Sequence, residues 1–155
     1  MVVHYGPVSI YIHKSHNVSV LLYHLVCVAK YRQVIFDDRV SRAVKEVCLE
    51  IQKRYDLHFV EIGEDKDHMH FLIQSVPPYA PTRIARMVKS LTAREVLKKL
   101  PWVRDELWGA QFWTDGYFIN TVSRNGNESV ITRYVKQQGK NTAYTILHKD
   151  QLKLF

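Results

Sequence analysis

Gly63-Glu-Asp-Lys-Asp-His-Met-His-Phe-Leu-Ile-Gln-Ser75 is the stretch on which the fold turns. From His68 onward it reads as a strand, in which side chains alternate between the two faces with a period of two. Met69, Phe71 and Ile73 then point into a core, and His68 and His70 share the opposite face. Two neighbouring neutral imidazoles are the beginning of a divalent metal site. A His-x-His pair also occurs on ordinary exposed strands, so the pair does not assign itself. Asp65-Lys66-Asp67 is a polar turn before this strand, and Leu57 to Glu64 is a strand before the turn. So short a gap makes the two an antiparallel hairpin. Pro77, Pro78 and Pro81 end it.

Working outward, Val18 to Arg32 reads as another strand followed by a basic turn. It is apolar on both faces over Val20 to Val28, as suits a central position. Asp37 or Asp38 caps a helix, in which Val40, Val44, Val47, Cys48, Ile51 and Tyr55 recur at helical spacing. Thr82 to Leu100 is a second helix with Pro81 or Thr82 near its start and Ile84, Met87, Val88 and Leu91 as its buried stripe. Residues 107–122 are rich in aromatics, Asp115-Gly116 is a turn signal, and Tyr117 to Ser123 is the last strand. A third helix is capped by Asn127, runs to Gln138 and ends on Gly139. The order strand, helix, strand, strand, helix, strand, helix predicts an α+β fold. It is a ferredoxin-like split βαβ antiparallel sheet with helices on one face and a further C-terminal helix. One domain, residues 18–139, is expected between an N-terminal arm, 1–17, and a polar, basic C-terminal tail, 140–155.

The chain has 155 residues and 46% hydrophobic residues, enough for one domain with a core. Twenty-two lysines and arginines against 15 acidic residues leave a net charge of +7. That favours a polyanionic partner, nucleic acid or an acidic membrane surface. No apolar run is long enough to span a bilayer, and the N-terminus lacks a signal peptide's layout. Cys27 and Cys48 sit in apolar segments and read as buried, reduced thiols of a cytoplasmic protein. Within the second helix Arg83, Arg86, Lys89, Arg94, Lys98 and Lys99 face a single acid, Glu95. Charge of one sign raises the odds of a phosphate-binding face over a merely solvated one. Lys30 and Arg32 could meet phosphates or simply solvate a strand end. Exposed aromatics among residues 102–118 could stack on unpaired bases, although core packing is the commoner use.

On the third helix Tyr134 and Gln138 are four residues apart and share a face. Taken alone, Tyr134 reads as an amphipathic core tyrosine. Taken with the His-x-His strand and the basic helix, the set resembles the single-tyrosine transposases of small bacterial and archaeal insertion sequences. These belong to the HUH endonuclease superfamily, which includes REP-associated tyrosine transposases. The matching segments are Tyr23-His-Leu-Val-Cys-Val-Ala-Lys-Tyr-Arg32, Asp67-His-Met-His-Phe-Leu-Ile73, the aromatic residues 107–122, and Tyr134-Val-Lys-Gln-Gln138.

The resemblance implies a DNA transposase that cuts and rejoins single-stranded DNA at hairpins on the ends of an insertion sequence. Tyr134 would be the nucleophile, forming a 5′-phosphotyrosine and releasing a 3′-hydroxyl. His68, His70 and Gln138 would hold a divalent metal, Mg²⁺ or Mn²⁺. On the reading of charge, Lys30, Arg32, Arg83, Arg86, Lys89 and Arg94 are the candidate DNA contacts. The resemblance further implies a homodimer in which each tyrosine helix completes the partner's metal site. Two alternatives stand beside this reading. One is a domesticated, palindrome-processing nuclease of the same superfamily; the other is a non-catalytic module that binds single-stranded nucleic acid.

Overall fold

The computed structural model describes residues 12–30, 36–107 and 111–122, and the backbone of 143–146. Seven strands and three helices follow one another along the described chain. A two-residue hairpin, β1 (Ile12–His13) with β2 (Val18–Ser19), precedes β3 (Leu21–Val28). Then come α1 (Asp38–Arg54), β4 (His58–Glu64), β5 (His68–Ser75), α2 (Pro81–Lys99), α3 (Pro101–Glu106), β6 (Phe118–Thr121) and β7 (Ala143–Ile146).

The main sheet has the order β6-β3-β5-β4-β7, antiparallel throughout. Without β7, its strands taken in chain order stand fourth, first, third, second, which is the expected split βαβ plan. β7 extends that plan to a fifth strand at the β4 edge and lies in the stretch read from the sequence as a tail. β1 likewise lies in the stretch read as an arm, and the Lys14 ammonium there is 3.0 Å from the Asp56 carboxylate. The strand expected from Val18 is divided into β2 and β3, and the one expected over 117–123 is shorter. The third helix, with Tyr134 and Gln138, lies outside the described residues, as does Arg32.

Local chemistry sets these boundaries. Asp37 is the cap of α1: its Oδ1 accepts from the Val40 amide at 2.9 Å. That hydrogen bond, with the Arg39 guanidinium beside it, lowers the Asp37 carboxyl below its ordinary value. Pro81 opens α2 and Pro101 opens α3; at a first helical position the missing amide hydrogen costs nothing. Leu100, held out of the helical region ahead of Pro101, separates the two helices.

α1 and α2 cover the same face of the sheet. Leu25 and Cys27 of β3, Phe59 and Ile62 of β4, and Met69, Phe71 and Ile73 of β5 pack there with Val44, Val47, Cys48, Ile84 and Val88 of the helices. Phe59 and Ile62 can both face inward because the β4–β5 register slips between Phe59 and Glu61, a bulge that resets the alternation. Both cysteines are free and buried, and burial pushes the Cys27 thiol up to about 12. Among the described residues no helix is long and apolar enough to cross a membrane.

Candidate active site

The face of β5 turned away from the helices presents His68, His70, Leu72 and Gln74, since Met69, Phe71 and Ile73 occupy the core. The two imidazoles named from the sequence therefore stand side by side, ring centroids 4.9 Å apart and planes inclined by 67°. Gly63 lies opposite His70 on β4, so no β4 side chain flanks that ring at its own level.

Each imidazole is gripped through Nδ1. His68 Nδ1 is 2.8 Å from Asp67 Oδ1. An ionised carboxylate only accepts, so His68 carries its proton on Nδ1 and a neutral ring turns the Nε2 lone pair outward. Asp65 Oδ2 lies 3.6 Å from that Nε2. Two acceptors converge there, an arrangement that a cation between them would satisfy. Asp65 is itself fixed by the turn: its amide donates to the His68 carbonyl at 2.8 Å, and its Oδ1 accepts from the Lys66 amide at 2.7 Å.

His70 Nδ1 is 3.0 Å from Nε2 of His24, which lies on the neighbouring strand β3. The register pairs Val26 with His70 and His24 with Leu72. His24 is thus the diagonal neighbour of His70 on the same face, within reach of a ring. The two rings lie within 10° of parallel, 5.2 Å between centroids. Burial holds both imidazoles neutral, pushing each from 6.5 down to about 4, and in His70 the His24 and His68 rings add to the effect. Among the described residues, the buried His70 Nε2 has no hydrogen-bond partner.

These residues fit a divalent cation: neutral imidazoles, one orphaned Nε2, and a carboxylate converging on the other. Among the described residues, however, no three His, Cys, Asp or Glu side chains are grouped to hold a metal ion. A further donor is required, the place given to Gln138 on resemblance.

The expected DNA-contacting residues are distributed differently. Lys30 follows the end of β3 nearest His68, where Ala29 donates to the Asp67 carbonyl at 2.7 Å and the Lys30 amide donates to that of Phe112 at 2.9 Å. Arg83, Arg86, Lys89 and Arg94 are on α2, across the sheet from the histidines. Arg86 and Lys89 line a groove of about 560 Å³ with Ser90, Trp113 and Tyr117. Lys89 Nζ donates there to the Asp115 and Gly116 carbonyls at 2.7 and 3.2 Å and lies 5.5 Å from the Tyr117 ring centre. Arg83 stacks on Tyr79 at 4.4 Å. Arg94, 3.2 Å from its α2 neighbour Glu95, lines a separate cavity with Glu50 and Arg54 of α1, so the cations of the basic helix lie on two sides.

His24, Asp65 and Asp67 were not singled out as site residues in the sequence. The signal for the aspartates was proximity to His-x-His; for His24 it was a lone polar residue in an apolar strand.

Comparison with known proteins points one way. The profile of the family described as transposase IS200-like matches residues 17–138. The chain is 29% identical over 118 residues to the ISDra2 transposase TnpA of Deinococcus radiodurans, covering 76% of this chain and 84% of that one. It is 24% identical over 116 residues to the transposase for insertion sequence element IS200 of Salmonella typhimurium, covering 75% of each. A crystal structure described as that of a transposase from Deinococcus radiodurans R1 superposes with a TM-score of 0.65 at 25% identity, over 82% of this chain and 97% of that one. A REP-associated tyrosine transposase bound to a REP hairpin shares the fold at a TM-score of 0.50 and 7% identity, over 80% of this chain and 67% of that one.

Proposed function

Because the chain belongs to the family of IS200-like transposases, we propose that it cuts and rejoins single-stranded DNA through a covalent bond to Tyr134. The observation that carries the reading is the pair His68 and His70, each held through Nδ1, with their rings side by side on the face opposite the helices.

In the proposed step the Tyr134 hydroxyl oxygen attacks a phosphodiester phosphorus. A P–O bond forms to tyrosine, the bond to the 3′ oxygen breaks, and that oxygen leaves as a 3′-hydroxyl after taking up a proton. The phosphotyrosine retains the bond energy, so a second 3′-hydroxyl can reverse the step and reseal DNA. A phenol with a pKa of about 10 is a weak nucleophile at neutral pH. A divalent cation, Mg²⁺ or Mn²⁺, would act as a Lewis acid on the phosphate and orient it for in-line attack. His68, His70 and Gln138 would hold it, and Asp65 is placed to add an oxygen. Asp67 fixes the His68 ring.

The proposed partner is single-stranded DNA with hairpin ends. Arg83 and Arg86, exposed on α2, and Lys30, Arg32, Lys89 and Arg94 are the proposed phosphate contacts. The proposed working unit is a cytoplasmic homodimer in which each Tyr134 helix serves the other chain's histidines.

The test is formation of a covalent protein–DNA adduct with a labelled hairpin-flanked single strand. Wild type should form it with Mg²⁺ or Mn²⁺ and lose it with chelator. Tyr134→Phe should bind the DNA and form none. Tyr144 is the control, because the β7 register sets it opposite Gly63, in the cross-strand row of His70. Adduct surviving Tyr134→Phe and vanishing in Tyr144→Phe would overturn the assignment.

A further inference from the structure

We propose that His24 is a positioning residue for the metal site: its Nε2 accepts the Nδ1 proton of His70 and so fixes the tautomer in which His70 Nε2 is free to bind a cation. The inference rests on the reading of His70 as a ligand and adds a residue to it.

The geometry leaves few choices. Nε2 of His24 and Nδ1 of His70 are 3.0 Å apart, a hydrogen-bond distance, so one of the two nitrogens carries the proton and the other accepts it. If His24 donates, His70 must carry its own proton on Nε2. That would block coordination there. If His70 donates, its Nε2 keeps a lone pair on the same side as that of His68. Ligating histidines habitually donate their second ring N–H to a fixed acceptor, which sets the tautomer and raises ligand basicity. For His68 the acceptor is the Asp67 carboxylate; for His70 the place is taken by a neutral imidazole. The difference is chemical: Asp67 brings a charge to a partly exposed ring, whereas His24 aims a lone pair into a fully buried position without one. Packing holds that acceptor in place. His24 is edge-on to Phe118 at 6.2 Å, and its ring lies nearly parallel to that of His70.

Two measurements test this on the full chain. Long-range proton–nitrogen spectra of metal-free wild type at neutral pH should show His70 protonated on Nδ1. A His70 found protonated on Nε2 overturns the proposal. The second follows Mn²⁺ binding by the paramagnetic resonance of the free ion. His24→Phe keeps the ring volume and removes the acceptor, and should weaken Mn²⁺ binding about tenfold or more. His24→Gln offers an amide oxygen near the position of Nε2 and should restore most of the affinity. Undiminished affinity in His24→Phe, or equal loss in His24→Phe and His24→Gln, overturns it. Should His24→Phe fail to fold, the wild-type tautomer and the glutamine variant still decide. Should wild type bind no Mn²⁺, the ligand reading fails, whereas the tautomer separately decides which ring donates.

Discussion

Burial at His24 and His70 has a consequence for stability as well as for chemistry. Both rings titrate near 4 in the folded protein against 6.5 when free. Between those values the unfolded chain binds protons that the native state refuses. The contribution is therefore complete above about 6.5 and is lost as pH falls towards 4. At about 1.4 kcal/mol per pH unit, the first proton alone corresponds to a loss on the order of 3 kcal/mol. Urea unfolding in chelator should show stability falling across this window. His24→Gln, with one fewer buried titrating ring, should show a shallower fall, and equal slopes in the two proteins would disprove the assignment. The sequence made His68 and His70 legible because two residues apart on a strand is a local relation. His24 was hidden, since its meeting with His70 depends on the register of β3 against β5, a relation between residues 46 positions apart. Nothing in the period of an apolar strand reports such a register.

The elements show the same divide between local and non-local information. α1 was readable from its capping aspartate and its apolar stripe, and the hairpin of β4 and β5 from its short polar turn. β7 was not, because Ala143 to Ile146 is too short for alternation to stand out and its strand character comes from pairing with β4. α3 was missed because six residues opening on a proline, with Val103 alone buried, carry no period that separates helix from loop. The attachment of α2 to residues 111–117 was also invisible. Thr92, buried on α2, donates to the Val88 carbonyl at 2.6 Å and accepts from the Trp113 indole N–H at 2.8 Å. Thr92→Val keeps the shape and strands a buried N–H, which should cost about 1–3 kcal/mol. Thr92→Ser keeps the hydroxyl and gives up a methyl, about 0.8 kcal/mol. Denaturant unfolding should place valine below serine. The reverse order would mean that packing, not the indole hydrogen bond, joins the two elements.

At the scale of the whole molecule, the proposed function raises the question of which chain's Tyr134 would meet which chain's histidines. α1 and α2 occupy one face of the sheet, and His68 and His70 lie on the other. β6 and β7 are at opposite edges of the sheet, so the stretch that carries Tyr134 and Gln138 begins after one edge and ends before the other. Four strand spacings of about 4.8 Å separate those edges. Two geometries are compatible with that span. The stretch can cross the histidine face of its own chain, or serve the histidine face of a second copy, as the proposed dimer requires. Complementation separates them. His70→Ala and Tyr134→Phe are each expected to be inactive; the two chains, tagged differently, are co-expressed and the mixed dimer isolated. With composite sites, the mixed dimer holds one intact site, built from the histidines of the Tyr134→Phe chain and the tyrosine of the His70→Ala chain. Labelled DNA should then attach to the His70→Ala chain alone. With sites built within one chain, each chain lacks an essential group and neither is labelled, although mixed dimers are present. Gln138 lies on the same predicted helix as Tyr134. A Gln138→Ala change should therefore abolish the recovered labelling when placed on the His70→Ala chain and leave it intact when placed on the Tyr134→Phe chain.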